Sequence, residues 1–236
     1  MPTLWIVSVP IGDARDITLR ALDVLKSADV IVCEDMKPAR RLLHELKIAK
    51  DLLPLNEHTV KTATLEALEL LRDGKSLALI SDAGTPLVAD PGSELVRLAI
   101  EEGIEVSPVP GASSILSALV VSGFSSSSFL FAGFLPRDKS ERRQKARQLA
   151  GIRDTILLLE APYRLPQLLD DLVDGFGPKR EACIAMDLTL PKERVARGTL
   201  LELRDQFLQR PFKGEFVVVL RGNEGQSGAR KRSRDL

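Results

Sequence analysis

The sequence predicts an α/β fold with two domains, a mostly parallel N-terminal sheet and a mixed C-terminal sheet. In the first half, short apolar runs alternate strictly with segments of helical spacing, which is typical of right-handed βαβ units. In the second half, the last apolar runs follow one another too closely for a helix between every pair. The serine run at 125–128 separates the two patterns and marks a linker.

The elements of the first half follow from these patterns in order. Strands are predicted at 4–9, 29–33, 52–55, 76–81 and 105–109. Helices are predicted at 17–27, 38–47, 59–73, 92–102 and 112–122. Gly74, Gly103 and Gly123 stand just past three of these helices, where a left-handed cap is expected.

The second half is predicted to contain five more strands and three helices. The strands are expected at 129–134, 155–160, 181–187, 193–197 and 214–220. The helices are expected at 139–150, 163–174 and 199–209. The sequence therefore predicts a domain at 1–122, a second at 129–222, and a disordered basic tail at 223–236 that is rich in Gly, Ser and Arg.

Composition limits the possible functions. Of the 236 residues, 44% are hydrophobic and 28% are charged, and the net charge is zero. No apolar run reaches the roughly 18 residues that span a bilayer, and the N-terminus has no basic leader, so we expect a cytoplasmic protein without membrane association. Cys33 and Cys183 lie in apolar runs and are expected to be buried thiols, and no metal site is expected.

The loop Ser81–Gly92 carries the strongest functional signal. It follows an apolar strand, precedes a helix, and contains two carboxylates, two glycines and two prolines. Loops after Val9, Cys33 and Val109 are similarly rich in Gly, Pro and acidic residues. Parallel topology brings such loops to one edge of a sheet, where α/β proteins bind small molecules. The glycine fingerprints of dinucleotide and nucleoside triphosphate sites are absent.

Together these segments resemble the tetrapyrrole methylase superfamily of S-adenosylmethionine (SAM) methyltransferases. Within it, the chain is most similar to the ribosomal RNA small-subunit methyltransferase I family, which 2′-O-methylates a cytidine of 16S rRNA. The motifs that carry the resemblance occur in the expected order and are Val9-Pro10-Ile11-Gly12, Glu34-Asp35, Glu57-His58, Ser81–Gly92, Pro110–Ser114, Phe131–Pro136, Glu160–Arg164, Arg197-Gly198-Thr199 and Gly214–Val219.

The resemblance implies a homodimer of two-domain subunits. The C-terminal domain would complete the SAM cleft, and rRNA or the small ribosomal subunit would be the partner. It also implies a set of cofactor-binding residues, which are Pro10, Asp82, Ala83, Gly84, Thr85, Ser113, Ser114, Phe134, Ala161, Leu188, Gly214 and Glu215.

Candidate catalytic and RNA-binding residues come from carboxylates and basic clusters near these motifs. Activation of a ribose hydroxyl favours a nearby carboxylate, and the candidates are Glu57, Asp35 and Glu160. Phosphate binding favours exposed cations, and the candidates are Lys37, Arg40, Arg41, Arg137, Lys139, Arg142, Arg143, Lys145, Arg147 and Arg164. Arg164 is equally suited to a phosphate or to an ion pair with Glu160.

The sequence departs from the family pattern on the expected RNA side. Met36-Lys37 and Asn56–Thr59 replace other residues of the family, as do Tyr163 and the run 186–190. Two alternatives therefore stay open. One is methylation of a small tetrapyrrole-type substrate, and the other is a non-catalytic role in RNA binding or ribosome assembly.

Overall fold

The computed structural model describes residues 1–223, and its N-terminal part is built on five parallel strands. The strands are β1 (Thr3–Val7), β2 (Val30–Cys33), β3 (Asp51–Pro54), β4 (Leu77–Ile80) and β5 (Glu105–Val109). Their order across the sheet is β3-β2-β4-β1-β5. The central strand β4 is buried along its whole length, as its continuous apolar run requires.

Four α-helices cover the two faces of this sheet. They are α1 (Leu19–Ser27), α2 (Met36–Glu45), α3 (Val60–Arg72) and α4 (Ser93–Glu101). Side chains of α1 and α2 form one apolar cluster with the sheet, and side chains of α3 and α4 form another. A short 3-10 helix, Ala14–Asp16, precedes α1 and was not predicted from the sequence.

The C-terminal part is built on a mixed five-stranded sheet. Its strands are β6 (Phe129–Phe134), β7 (Thr155–Leu159), β8 (Glu181–Met186), β9 (Arg194–Thr199) and β10 (Phe216–Leu220), in the order β6-β7-β10-β8-β9. Strands β6 and β7 are parallel, whereas β10 runs antiparallel to β7 and β8. The helices of this part are α5 (Ser114–Ser122), α6 (Lys139–Ala150), α7 (Leu165–Phe176) and α8 (Leu200–Gln209).

The division between the two compact units differs from the predicted one. Unit 1 is Met1–Ser113 and unit 2 begins at Ser114, whereas the sequence placed the boundary near 122–128. The reason is that α5 contacts β8, β9 and β10 and therefore belongs to the second sheet. The predicted basic tail lies almost wholly outside the described residues, which end at Asn223.

The fold class is confirmed, with a parallel first sheet and a mixed second sheet. The predicted elements all occur, with ends that shift by no more than about two residues. Cys33 and Cys183 are free and buried, as expected. Burial raises the pKa of each thiol to about 11, so both are protonated at neutral pH.

Candidate active site

In unit 1, the loops that follow β1, β4 and β5 are joined to one another. Val9 and Gly84 exchange backbone hydrogen bonds, with Val9 N to Gly84 O at 2.9 Å and Gly84 N to Val9 O at 3.1 Å. Ser8 N donates to Val109 O at 3.0 Å. The carboxyl ends of three adjacent strands therefore carry one connected set of loops, as the parallel topology predicts.

Hydroxyl groups reinforce this connection. Thr85 Oγ1 donates to the carbonyl of Ala112 at 3.1 Å and lies 3.0 Å from Ser8 Oγ. Ser81 Oγ donates to the carbonyl of Gly84 at 3.2 Å. The hydroxyl of the predicted cofactor residue Thr85 therefore anchors the loop after β4 to the loop after β5.

The turn after β4 requires a glycine at its third position. Gly84 has φ +82°, and a Cβ there would lie only 3.1 Å from Ile11 Cγ2. Asp82 and Ala83 are exposed at the tip of the turn, while Gly84 is buried. The backbone at the tip is thus open to a ligand, and the glycine lets the turn lie against the loop after β1.

The same loop holds two non-glycine residues in left-handed backbone conformations. Leu87 has φ +69° and Ala89 has φ +72°. Such conformations cost about 1–3 kcal/mol each and are concentrated at ligand-binding and catalytic sites. Two such residues in one loop make Ser81–Gly92 a candidate for contact with a ligand.

Five carboxylates surround the ends of β2 and β4. Asp35 N donates to Asp82 Oδ1 at 3.2 Å, which ties the two loops together. The Asp35 side chain accepts from Lys37 N at 2.8 Å and caps α2. The other three members of this acidic cluster are Glu34, Glu57 and Asp90; the charges of Asp90 and Glu57 act on Glu34, and that of Asp82 acts on Asp90.

Burial and mutual repulsion shift the titration of this acidic cluster. Burial, followed by the negative charges of Asp90 and Asp82, raises the pKa of Glu34 to about 7. Burial and then the charge of Asp82 raise the pKa of Asp90 to about 6. Burial also raises the pKa of Asp82. A carboxylate whose pKa lies near neutrality can accept a proton from a substrate at physiological pH.

The sequence analysis did not assign a role to Glu34 or Asp90. Their pKa values depend on burial and on carboxylates from other loops, which no single segment shows. The predicted catalytic residue Asp35 serves as a helix cap, and Glu57 is exposed just before α3. Both belong to the acidic cluster, so the structure brings two of the three predicted catalytic residues together.

The third predicted residue, Glu160, lies in unit 2 at the end of β7. Its side chain is 4% exposed, and Oε1 accepts from Ala161 N at 2.9 Å. Arg164 Nη1 lies 3.6 Å from the same oxygen, so the ion pair that the sequence analysis considered for Arg164 is present. Among the described residues, Glu160 Oε2 is buried and accepts no hydrogen bond.

Two adjacent turns of unit 2 contain further predicted cofactor residues. Asp187 (φ +47°) and Thr189 (φ +65°) flank the buried Leu188. Asp187 N donates to Glu215 O at 2.9 Å, and a Cβ at Gly214 would overlap the Asp187 carboxylate. Gly214 is thus needed for the close approach of the two turns. Partial desolvation and the charge of Asp187 raise the pKa of Glu215.

The remaining predicted cofactor residues differ in exposure. Phe134 is 55% exposed at the end of β6, just after a bulge in that strand. Pro10 is buried, whereas Ser113, Ser114 and Ala161 are half-buried.

The predicted RNA-binding surface on α6 is corrected by the structure. Arg142 is 1% exposed, and its Nε donates to Asp171 Oδ2 at 2.6 Å. Arg143 contacts the other oxygen of Asp171 at 2.8 Å, and Arg147 contacts Asp174 at 2.8 Å. Arg142 was expected to contact RNA and is instead a core residue, because it neutralises a buried carboxylate. The cations that stay exposed there without an ion pair to any described residue are Arg137, Lys139 and Lys145.

The cations on α2 have a different environment. Lys37, Arg40 and Arg41 are all exposed, and Arg41 contacts Glu45 at 3.3 Å.

Within residues 1–223, no helix is both long and apolar enough to cross a bilayer. In the same part of the chain, no three His, Cys, Asp or Glu side chains are arranged to hold a metal ion.

Comparison with known proteins identifies the family. A sequence model described as Tetrapyrrole (Corrin/Porphyrin) Methylases matches residues 3–204. The chain belongs to the tetrapyrrole methylase family. Two relatives of this methylase are named ribosomal RNA small subunit methyltransferase I. The one from Halalkalibacterium halodurans is 41% identical over 94% of this chain and 76% of its own length. The one from Thermotoga maritima is 42% identical over 95% of this chain and 100% of its own length.

Solved structures share the fold of this methylase. Uroporphyrin-III C-methyltransferase from Thermus thermophilus, complexed with S-adenyl homocysteine, has a TM-score of 0.66 and 20% identity. The match covers 94% of this chain and 97% of that protein. The resemblance and the assignment to SAM-dependent methyltransferases made from the sequence are thus confirmed.

Proposed function

We propose that this methylase transfers the methyl group of SAM to the 2′-oxygen of a cytidine ribose in small-subunit ribosomal RNA. The observation that carries the proposal is the identity of 41–42% over nearly the whole chain to proteins named ribosomal RNA small subunit methyltransferase I. The exposed basic face of α2 supports an RNA substrate.

The loops of unit 1 suit a cationic adenosyl cofactor. The exposed backbone of Asp82 and Ala83 can approach a ligand closely, because Gly84 holds the turn in a conformation that other residues avoid. The acidic cluster supplies negative charge next to this turn. Bound SAM would supply an electrophilic methyl group on a positively charged sulfur. We therefore assign Pro10, the turn 82–85 and Ser113 to cofactor binding in unit 1.

In unit 2 we assign a second set of residues to the cofactor. The strained turn around Leu188 and the Gly214–Glu215 turn lie side by side, and the positive φ angles at Asp187 and Thr189 resemble those of the loop Ser81–Gly92. Ala161 follows Glu160, and the backbone N–H of Ala161 donates to Glu160 Oε1 at 2.9 Å. The full unit 2 assignment is Ser114, Phe134, Ala161, Leu188, Gly214 and Glu215.

The reaction needs a group that accepts the hydroxyl proton. The ribose oxygen forms its bond to the methyl carbon as the bond between sulfur and that carbon breaks. We assign Glu34 to take the proton, because its pKa of about 7 makes it an effective base near neutrality. Burial and the charges of Asp90 and Asp82 keep that pKa high, with smaller contributions from Glu57 and Asp35, and Asp35 also fixes the turn through Asp82.

Methyl transfer to small ribosomal subunits that lack 2′-O-methyl marks tests this function. We expect label from SAM at one ribose 2′-oxygen, located by nucleotide-level mapping. Asp82→Ala should abolish SAM binding in calorimetry, while Asp73→Ala, an exposed aspartate at the end of α3, serves as the matched control. SAM binding by the wild type without transfer to any RNA would refute the RNA substrate and leave the cofactor assignment intact.

The resemblance also supports a homodimer in the cytoplasm, which we propose as the working state. Light scattering on the full chain gives the mass in solution. Cell fractionation gives the compartment. A monomer at micromolar concentration would contradict the first proposal, and recovery with membranes would contradict the second.

A further inference from the structure

Unit 1 contains a groove between α2 and the segment that leads into β3. Its volume is about 590 Å³, and its walls include Arg40 and His44 on one side and Lys50 on the other. Ligand pockets in proteins typically have volumes of about 300–1,000 Å³. The groove therefore has room for one nucleotide.

The floor of the groove is apolar and its rim is cationic. Leu43 and Ile48 are 4% and 8% exposed and form part of the floor. Arg40 and His44 are exposed, and Lys50 is held by a hydrogen bond from Nζ to the carbonyl of Ala28 at 2.6 Å. An apolar surface beside guanidinium, imidazole and ammonium groups matches a nucleobase attached to a phosphate.

The rim belongs to a larger basic face. At 3.6 residues per turn, Lys37, Arg40, Arg41 and His44 lie within an arc of about 100° on α2. Residues 36–50 contain five Lys and Arg and one Glu. Among the described residues, Arg41 alone of these five cations forms an ion pair, and that exposed pair with Glu45 is weak. The face therefore keeps its charge for an anionic partner.

The position of the groove connects it to the candidate active site. Helix α2 begins at Met36, immediately after Glu34 and Asp35 of the acidic cluster, and Met36 lines the groove. On the other side, β3 is an edge strand that pairs only with β2, so one row of its backbone groups has no partner in the sheet. A chain of nucleotides leaving the acidic cluster along α2 would pass over the groove.

We propose that this groove binds one unpaired nucleotide of the substrate RNA that flanks the methylated residue. The base packs over Leu43 and Ile48, and its phosphate contacts Arg40 and His44. This inference rests on the proposed function and assigns RNA recognition mainly to α2. On α6, by contrast, Arg142 is buried against Asp171, while Arg143 and Arg147 each contact an aspartate of α7.

Two variants test the groove in different ways. Arg40→Glu reverses a charge at the rim, and Ala49→Phe fills the groove from an exposed position without changing charge. Lys75→Glu, an exposed cation in the loop before β4, is the charge-matched control. The RNA probe is a single-stranded fragment of small-subunit rRNA that contains the methylated residue, and its binding is followed by anisotropy at several salt concentrations.

We expect both groove variants to raise the Kd and the KM for RNA about tenfold or more, with an unchanged Kd for SAM. Arg40→Glu should also lower the salt dependence of log Kd by about 0.7 for each phosphate that the variant no longer neutralises. Lys75→Glu should stay within about twofold of the wild type. Circular dichroism confirms that each variant is folded.

The outcomes separate this inference from the proposed function. If the wild type methylates RNA and both groove variants behave like Lys75→Glu, the groove does not bind RNA and the inference is wrong. If the wild type binds the RNA but transfers no methyl group, the proposed function fails. The anisotropy measurements on the variants still show whether the groove binds RNA. Dissociation of a dimer by Ala49→Phe would show that a second copy of the chain occupies the groove, which also overturns the inference.

Discussion

Removal of the Arg142 guanidinium should destabilise unit 2, because this buried cation binds three partners. Arg142 and Asp171 are each 1% exposed and are joined by a 2.6 Å ion pair. Arg142 Nη1 also donates to the carbonyls of Pro136 at 3.3 Å and Arg137 at 2.8 Å. Breaking a buried ion pair by removing one partner costs about 3–5 kcal/mol. Because Arg143 still contacts Asp171, we expect Arg142→Met to lower the free energy of unfolding by about 3 kcal/mol.

Urea unfolding measured by two probes tests this value. Trp5 is the only tryptophan and lies in unit 1, so its fluorescence follows that unit. Hydrogen exchange of the α6 and α7 amides follows unit 2 separately. Lys145→Met, at an exposed position of α6, is the matched control and should change the free energy by less than about 0.5 kcal/mol.

A double variant sharpens the test. Arg142→Met with Asp171→Leu removes both buried charges, so it should be less destabilised than Arg142→Met alone. A destabilisation below about 1 kcal/mol for Arg142→Met, the range of exposed ion pairs, would refute the argument that Arg142 is a core residue.

Three further predictions concern the acidic cluster, the glycine turn and a helix cap. Since Glu34 must be ionised to accept a proton, kcat/KM for RNA should rise with pH and level off above about 7, and Glu34→Gln should remove that dependence. Gly84→Val forces a side chain to φ +82° beside Ile11, so calorimetry should show no SAM binding and urea unfolding should show a destabilisation of about 1–3 kcal/mol. Thr199→Ala removes the capping box with Glu202 and should cost about 1 kcal/mol in thermal unfolding, which Thr199→Ser restores.

The elements of the fold could be predicted because each depends on local periodicity. For example, the apolar run at 77–80 forms strand β4, and the segment with helical spacing at 93–101 forms helix α4. The domain boundary could not be predicted in the same way. The apolar helix α5 fits either sheet by its pattern, and only its packing against β8, β9 and β10 assigns it to unit 2.

The sequence was sufficient to predict which loops form the candidate site, but not which of its carboxylates has the most strongly raised pKa. Parallel topology alone implies that the loops after β1, β4 and β5 meet, and the hydrogen bonds of Val9 and Gly84 join two of them. The raised pKa of Glu34 was not predictable, because it depends on burial and on carboxylates up to 56 positions away in the chain. Sequence reasoning therefore identified the loops of the candidate site but not Glu34, the residue we propose as the proton acceptor.

The two basic segments show why charge counts alone do not locate an RNA surface. Residues 137–147 and 36–50 each have four more cations than anions. On α6, however, Arg142 and Arg143 share the single carboxylate of Asp171, and Arg147 forms an exposed ion pair with Asp174. On α2, the cations lie on the exposed face beside an apolar groove. Since binding to phosphate requires exposed charge, the buried Arg142 is lost from the α6 segment, whereas Lys37, Arg40 and Arg41 all remain exposed on α2.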